Sequence, residues 1–172
     1  MQVFDAIRTL LAVREYQDRP IPGDVVDRIL EAARLTASAS NRQHWDFVVV
    51  RDKETLRAIG QRASSGGYIA NAPMAIAVLV PDSPLGYIDG ARAAQDMMLA
   101  AWDAGVGSVW VGNVNTPELR SLLNVPNGRM ILTIIPFGYP VKKLGAGRKA
   151  RKPLNEIAHQ EQFGRPYARQ SA

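Results

Sequence analysis

The sequence predicts an α+β fold in which helices flank a mixed sheet and surround one long central helix. Three observations support it: apolar residues recur at helical spacing near the start of the chain, short apolar runs suited to strands follow, and residues 88–104 form a long helical run rich in small residues. With 172 residues, 47% of them hydrophobic, the chain can bury a substantial core. We therefore expect a single domain over residues 1–172.

The elements follow from local patterns taken in chain order. The first helix is predicted by four apolar residues at helical spacing: Phe4, Ile7, Leu10 and Leu11. Pro22-Gly23-Asp24 opens a second helix, and Gly105 ends the central one. Further helices are predicted at 53–62 and 117–123, and strands at 46–51, 74–81, 108–112 and 130–137. Residues 81–87 form only a short connection before the central helix, which leaves no room for a long lid.

Residues 36–45 are the most informative stretch of the chain. They read Thr36-Ala37-Ser38-Ala39-Ser40-Asn41-Arg42-Gln43-His44-Trp45 and precede a strand. Small residues let another molecule approach the backbone, while Ser, Asn and Gln side chains supply hydrogen-bond donors and acceptors. The segment is therefore either the floor under a flat, polar-edged ligand or a plain helix end, with Asn41 terminating the helix and Trp45 buried in the core.

The net charge of +5 is concentrated at the C-terminus. Residues 142–172 carry eight Lys or Arg and two Glu, a net charge of +6, whereas residues 1–141 carry −1. A basic tail can bind nucleic acid through its phosphates. This one also contains large apolar residues, namely Leu154, Ile157, Phe163 and Tyr167. We therefore favour a basic C-terminal extension that packs on a partner subunit and contributes cations to a small phosphate, with nucleic-acid binding as the less favoured alternative.

Several function classes lack their sequence signals. With no cysteine there is no thiolate nucleophile and no Cys metal site, and His44 and His159 are isolated, so no metal site is expected. No Gly-x-Ser-x-Gly elbow or phosphate-binding P-loop occurs. No apolar run is long enough to span a bilayer and no signal peptide is evident, so we expect a cytoplasmic protein without membrane contact.

The glycine-rich segment 105–112 does not fit a dinucleotide-binding fingerprint. That fingerprint places Gly-x-Gly-x-x-Gly after a strand and before a helix, so that the phosphate meets the helix N-terminus. Here the glycines follow a helix and precede a strand, and the third glycine comes too late. A helix end and a buried strand would account for Gly105, Gly107 and Trp110.

From Phe4 to about His159, the order of motifs resembles the FMN-dependent nitroreductase family. The motifs that carry the resemblance are, in chain order, Val13-Arg14-Glu15-Tyr16, Arg19-Pro20-Ile21-Pro22, Glu31-Ala32-Ala33-Arg34, the segment 36–45, Ala72-Pro73-Met74-Ala75-Ile76, the segment 105–112, Pro136-Phe137-Gly138-Tyr139-Pro140 and Arg151-Lys152-Pro153-Leu154. No single block is diagnostic, whereas their colinear order is. The resemblance implies a homodimer with two FMN sites at its interface and a sheet strand contributed by the partner subunit's C-terminal tail.

The resemblance also assigns candidate cofactor-binding residues. For the flavin ring these are Ser38, Ala39, Ser40, Asn41, Gln43, Trp110, Val111, Gly112 and Asn113. For the phosphate they are Arg14, Arg148, Arg151 and Lys152, because guanidinium and ammonium groups bind phosphate through charge-assisted hydrogen bonds. By residue matching, a backbone amide near the reactive N5 atom falls at Gly112 or Asn113, and no side chain acts as a covalent catalyst.

The phosphate motif departs from the family pattern. A basic pair and a serine commonly stand just before the position of Arg14, but this chain has Leu10-Leu11-Ala12 there. The phosphate contacts must then be rebuilt, with Arg8 or the tail cations, or be weaker. The departure also leaves open a deazaflavin or another cofactor in the same fold. The basic tail leaves open a nonenzymatic flavin- or nucleic-acid-binding protein.

The resemblance implies an NAD(P)H-consuming oxidoreductase that works by a ping-pong mechanism. The nicotinamide delivers hydride to the flavin and leaves, and a flat acceptor such as a nitroaromatic or a quinone then takes its place. Such a mechanism suits a cofactor-dependent enzyme, in which the protein positions and tunes the group that carries the redox chemistry. The physiological acceptor and the choice between NADH and NADPH cannot be read from the sequence.

Overall fold

The structure is a computed structural model that describes residues 1–142 and 149–168. It confirms the predicted α+β fold. The helices are α1 (Val3–Thr9), α2 (Gly23–Arg34), α3 (Lys53–Arg62), α4 (Pro84–Asp103), α5 (Pro117–Leu122) and α6 (Leu154–Ile157). The strands are β1 (Asp46–Val50), β2 (Met74–Val80), β3 (Gly107–Ser108) and β4 (Met130–Gly138). Short 3-10 helices at Ala39–Asn41 and Gly67–Asn71 complete the set.

The four strands form one sheet in the order β1-β2-β4-β3, and every strand pair is antiparallel. Among the described residues, the one parallel contact is an isolated bridge between Ala12 and Ser108, which adds the segment after α1 to the edge of the sheet. The predicted mixed sheet is therefore antiparallel in its named strands, and its parallel part is limited to this bridge in the described residues. The bridge fixes the segment that leads to Arg14 against the end of β3.

Hydrophobic residues cover both faces of the sheet. Alternate residues of β2 point to opposite faces: Met74, Ile76, Val78 and Val80 pack with α2 and α4, while Ala75, Ala77 and Leu79 pack with α3 and α5. Helix α4 is the predicted central helix, and it lies close to the sheet because its buried face is built from small residues. At Gly90 a Cβ atom would come within 2.5 Å of the Val80 side chain, so the close approach requires glycine.

Most element bounds agree with the sequence predictions, with four main differences. Helix α1 ends at Thr9, so Leu10 and Leu11, which the spacing predicts on its apolar face, lie beyond it. Helix α4 begins at Pro84 instead of residue 88, because the Ser83 hydroxyl accepts a hydrogen bond from the Gly86 N–H and proline suits the first helical turn. The predicted strand at 108–112 is only Gly107–Ser108, followed by an isolated bridge at Val111. Helix α2 ends at Arg34, so Asn41 does not terminate it, whereas Trp45 is buried as the alternative interpretation expected.

The described part of the tail contributes little to the core. Beyond residue 149 it forms the short helix α6 and a bridge between His159 and Pro166. Its large apolar side chains are exposed in the single chain, with Phe163 at 93%. A strand exchanged with a second copy stays a prediction. None of the described helices has the length and apolarity that crossing a bilayer would require.

Candidate functional site

A cavity of about 780 Å³ lies where α1, α4, the end of β3 and the tail meet. Its walls are largely apolar, and three cationic side chains line it: Arg8, Lys149 and Arg151. Trp110 and Arg151, both predicted from the sequence, therefore come together here from positions about forty residues apart. The size falls within the range of about 300 to 1,000 Å³ that is usual for cofactor pockets.

The end of α1 and the start of β3 fix this cavity. The Val13 N–H donates a hydrogen bond to the Ser108 carbonyl (3.0 Å), so residues 10–12 are held as one wall. Gly107 permits this approach, because a Cβ atom there would lie 2.7 Å from the Val13 Cβ. Val109 is buried and lines the cavity, and Trp110, which lines it too, is 39% exposed. The buried-strand interpretation of Trp110 is therefore wrong.

Among the described residues no carboxylate lines the cavity, but Arg8 forms an ion pair with Asp5 (3.2 Å), which lies one helical turn earlier on α1. Lys149 and Arg151 are the cations without a carboxylate partner in this part of the chain. The Lys149 Nζ donates a hydrogen bond to the Ile7 carbonyl at the end of α1 (2.6 Å). Partial burial, and then the nearby Arg151 guanidinium, lower the pKa of Lys149. Both causes disfavour its charged form, so a bound anion would stabilise that form. The cavity thus combines an aromatic, apolar wall with cations suited to a phosphate.

The segment Ser38–Gln43 forms a separate loop held against α4. Three of its residues, Ser40, Asn41 and Gln43, have left-handed backbone angles with φ between 51° and 53°. Such conformations are costly for non-glycine residues and persist only where other contacts fix them. Here the Gln43 N–H donates to the Ser38 hydroxyl (2.9 Å), and the Ala39 N–H donates to both carboxylate oxygens of Asp89 (3.2 and 3.1 Å).

Asp89 and Asp96 are functional candidates that the sequence reasoning missed. They lie two helical turns apart on α4: Asp89 binds Ala39, and Asp96 accepts a hydrogen bond from the Thr36 hydroxyl (2.6 Å). Asp89 is 1% exposed and lies 3.5 Å from the His44 Nδ1, an atom that is buried without a hydrogen bond in the described residues. The sequence signal that could have identified Asp89 is an acidic residue among the alanines and glycines on the buried face of α4.

Other predicted residues lie elsewhere in the single chain. Arg14 lines a second groove of about 840 Å³, and its guanidinium lies 5.8 Å from the centre of the Tyr68 ring. Within one chain Arg14 and Arg151 therefore line different cavities. Lys152 is exposed beside Arg151 but does not line the cavity, and Arg148 lies outside the described residues.

Residues 111–113 run from the core to the surface of the protein. The Val111 side chain is buried in the core, and its carbonyl accepts a hydrogen bond from the Thr133 hydroxyl (3.0 Å). The whole residue is 1% exposed, so in the single chain Val111 offers a ligand almost no accessible surface. Gly112 is half-buried, and Asn113 is exposed with a left-handed φ of 54°. At Gly112 a Cβ atom would meet nothing closer than the Trp110 Nε1 at 3.8 Å, so the fold itself does not require glycine there.

Among residues 1–142 and 149–168, no three His, Cys, Asp or Glu side chains are placed to hold a metal ion. His159 instead packs on the Phe163 ring, with centroids 4.5 Å apart.

Comparisons with known proteins identify the family. Residues 2–167 match the family model described as "Putative TM nitroreductase". A Methanothermobacter thermautotrophicus protein named "Putative NADH dehydrogenase/NAD(P)H nitroreductase" is 36% identical over 155 residues, covering 84% of this chain and 81% of the relative. The "FMN reductase [NAD(P)H]" of Bacillus subtilis is 26% identical over 187 residues, covering 94% and 74%.

Solved structures agree with this assignment. A Clostridium difficile protein described as an FMN-dependent nitroreductase has a TM-score of 0.83 at 27% identity, covering 93% of this chain and 99% of that one. A Parabacteroides distasonis structure has a TM-score of 0.85 at 26% identity, covering 95% and 99%. The chain therefore belongs to the nitroreductase family, as the order of its motifs predicted, and is an oxidoreductase.

Proposed function

We propose that this protein is an NAD(P)H-dependent oxidoreductase that holds FMN in the cavity lined by Trp110 and Arg151. The observation that carries the proposal is the convergence of Arg8, Lys149 and Arg151 on one largely apolar cavity. FMN has a flat ring and a phosphate, and the donor set fits both parts. The Clostridium difficile neighbour is described as FMN-dependent, and the names of both relatives include NAD(P)H. These names support the same function.

Each part of the cavity has a distinct role in this proposal. The guanidinium of Arg151 and the ammonium of Lys149 bind the phosphate, while the charge of Arg8 is partly offset by its ion pair with Asp5 (3.2 Å). These groups take the role of the basic pair of the family pattern, whose positions are occupied here by Leu10 and Leu11. Both leucines extend the apolar wall of the cavity. FMN supplies the hydride-transfer chemistry when bound, while the protein orients it, excludes water from one of its faces and leaves the other accessible.

We further propose that a second copy completes the site. The Ser38–Gln43 loop, predicted to contact the flavin ring, does not line the cavity of its own chain. Large apolar side chains are exposed near the cavity and along the tail: Phe4, Ile7, Leu154, Ile157, Phe163 and Tyr167. Exposed apolar groups of this kind are typical of an interface. A homodimer would cover them and would bring one subunit's loop to its partner's cavity, while the place of Arg14 and Lys152 in that shared site stays a prediction.

One accessible face would serve the nicotinamide and a flat acceptor, such as a nitroaromatic or a quinone, in turn. The backbone at Gly112 and Asn113 would lie beside this face, and no side chain would act as nucleophile. Such a shared site gives ping-pong kinetics, so double-reciprocal plots at several acceptor concentrations should be parallel. Converging lines would contradict a single site used in turn.

Mass spectrometry of the small molecule that copurifies with the dimer tests the cofactor directly. FMN at one molecule per chain, together with a dimeric mass in solution, is the expected result. The leucine pair at positions 10 and 11 favours a second candidate, a deazaflavin bound by the same fold. Recovery of a deazaflavin would favour that candidate, and a protein that neither carries nor binds either cofactor would refute both.

A further inference from the structure

We infer that Asp89 is a positioning residue that holds the Ser38–Gln43 loop in the shape required to bind the cofactor. This inference rests on the proposed function. The inference goes beyond the proposed function because Asp89 lies on α4 and is not one of the residues predicted to contact the flavin.

The geometry of the contact supports a specific role. Asp89 is 1% exposed, and both of its carboxylate oxygens lie within hydrogen-bond distance of the Ala39 N–H (3.2 and 3.1 Å). Burying a carboxylate is costly unless hydrogen bonds or charges compensate it. A backbone N–H is a strong partner for such a group, and the bond also satisfies a donor at the start of the 3-10 helix Ala39–Asn41.

The loop needs an external anchor because its backbone is strained. Left-handed angles at Ser40, Asn41 and Gln43 each disfavour this shape relative to an extended chain. Within the loop, backbone hydrogen bonds join the Asn41 N–H to the Ser38 carbonyl and the Arg42 N–H to the Ala39 carbonyl (both 3.1 Å). Two side-chain contacts add to them: the Gln43 N–H donates to the Ser38 hydroxyl, and the Gln43 side chain donates to the Asn41 carbonyl (3.2 Å). Both lie within the exposed part of the chain, where water competes. Asp89 is the buried contact, and it fixes the loop to the rigid central helix.

The strained shape turns the loop's polar groups outward. Ser40, Asn41 and Gln43 are exposed, while Ala39 is half-buried over α4. A loop held in one conformation loses less entropy when it binds a ligand than a loop that must be ordered on binding. Asp89 therefore contributes to cofactor affinity without touching the cofactor.

Asp89→Asn tests this inference with little change of shape. The variant keeps one acceptor but loses the charge that strengthens the hydrogen bond. We expect FMN to bind about tenfold more weakly, and the absorption spectrum of the bound flavin to shift toward that of free FMN. Asp103→Asn is the matched control, because Asp103 lies on the same helix and instead contacts Arg28 and the N-terminal amine. This control should keep the wild-type FMN affinity and spectrum.

Ala39→Pro removes the same hydrogen bond from the loop side. Proline is compatible with the first position of the 3-10 helix, and the preceding Ser38 is already extended (φ −128°, ψ 159°). It should weaken FMN binding to a similar extent and keeps the test available if Asp89→Asn does not fold. FMN affinity within twofold of wild type in either folded variant would overturn the inference, as would an equal loss in Asp103→Asn.

Hydrogen exchange separates this inference from the proposed function. In the protein without cofactor, the Ala39 amide should exchange at least tenfold faster in Asp89→Asn than in the wild type. An unchanged exchange rate would overturn the anchoring role, whether or not FMN binds. Failure of the wild-type protein to bind FMN, with Asp89-dependent protection of Ala39 intact, would instead refute the proposed function.

Discussion

Replacement of Arg151 by alanine tests the proposed phosphate contact most sharply. A hydrogen bond to a charged group contributes about 1.5 to 3 kcal/mol. Two features of the structure favour the lower half of this range. First, Arg151 is exposed, so water screens its charge. Second, burial and then repulsion by Arg151 lower the pKa of Lys149, so removing Arg151 lets Lys149 hold its proton more firmly. We therefore expect a loss of about 1.5 to 2 kcal/mol, or roughly 10- to 30-fold in the FMN dissociation constant.

The assay is a titration of the apoprotein with FMN, followed by the change in flavin fluorescence. Arg165→Ala is the matched control, because Arg165 is also an exposed arginine of the tail but lies near Glu161 (3.9 Å) and does not line the cavity. The control should bind FMN as the wild type does. Arg151→Ala with an affinity within threefold of this control would refute the assignment of the cavity cations to the phosphate.

Three further predictions concern other parts of the molecule. Gly107→Ala should lower the free energy of unfolding by about 1 to 3 kcal/mol, because its Cβ atom meets Val13, whereas Gly112→Ala should change it by less than about 0.5 kcal/mol and slow turnover. Denaturant titration measures the two stabilities and steady-state rates measure turnover, and equal losses of stability in the two variants would contradict this prediction. Burial raises the pKa of Tyr16, whose hydroxyl donates to the Val13 carbonyl (2.6 Å), so the native state retains a proton that the unfolded chain loses. Unfolding free energy should therefore fall above pH of about 10, by up to about 1.4 kcal/mol per pH unit, and Tyr16→Phe should flatten this fall; an unchanged slope in the variant would show that another group causes it. Truncation after Pro153 removes the exposed Ile157, Phe163 and Tyr167 and should abolish the dimer and FMN binding; a truncated protein that stays dimeric by light scattering and retains FMN would show that the tail is dispensable.

The sequence predicted the parts of the fold that depend on local patterns. Helix α3 has the predicted bounds, and β1, β2 and β4 differ from their predicted ranges by one residue at one end. The predicted start of α4 is four residues late, because Leu85-Gly86-Tyr87 resembles a connection and the capping contact of Ser83 does not show in the pattern of apolar residues. Strand β3 was predicted too long, because an apolar run does not reveal how many of its residues pair with a neighbouring strand.

The candidate site was predictable where a motif lies in one segment and less so where it depends on tertiary contacts. Trp110 and Arg151 were predicted, and they line the same cavity. Asp89 was missed because its importance comes from a loop fifty residues earlier in the chain. The separation of Arg14 from Arg151 could not be seen either, since two basic motifs in a sequence carry no information about the direction of their side chains.

Anaerobic mixing of the FMN-loaded protein with NADH and with NADPH tests the central claim most directly. If the cavity holds FMN for an NAD(P)H-dependent oxidoreductase, at least one of the two nucleotides should bleach the visible flavin absorbance in the absence of any acceptor. Adding a quinone or a nitroaromatic compound should then restore it. Flavin absorbance that stays unchanged with both nucleotides, in a protein that binds FMN stoichiometrically, would contradict the account.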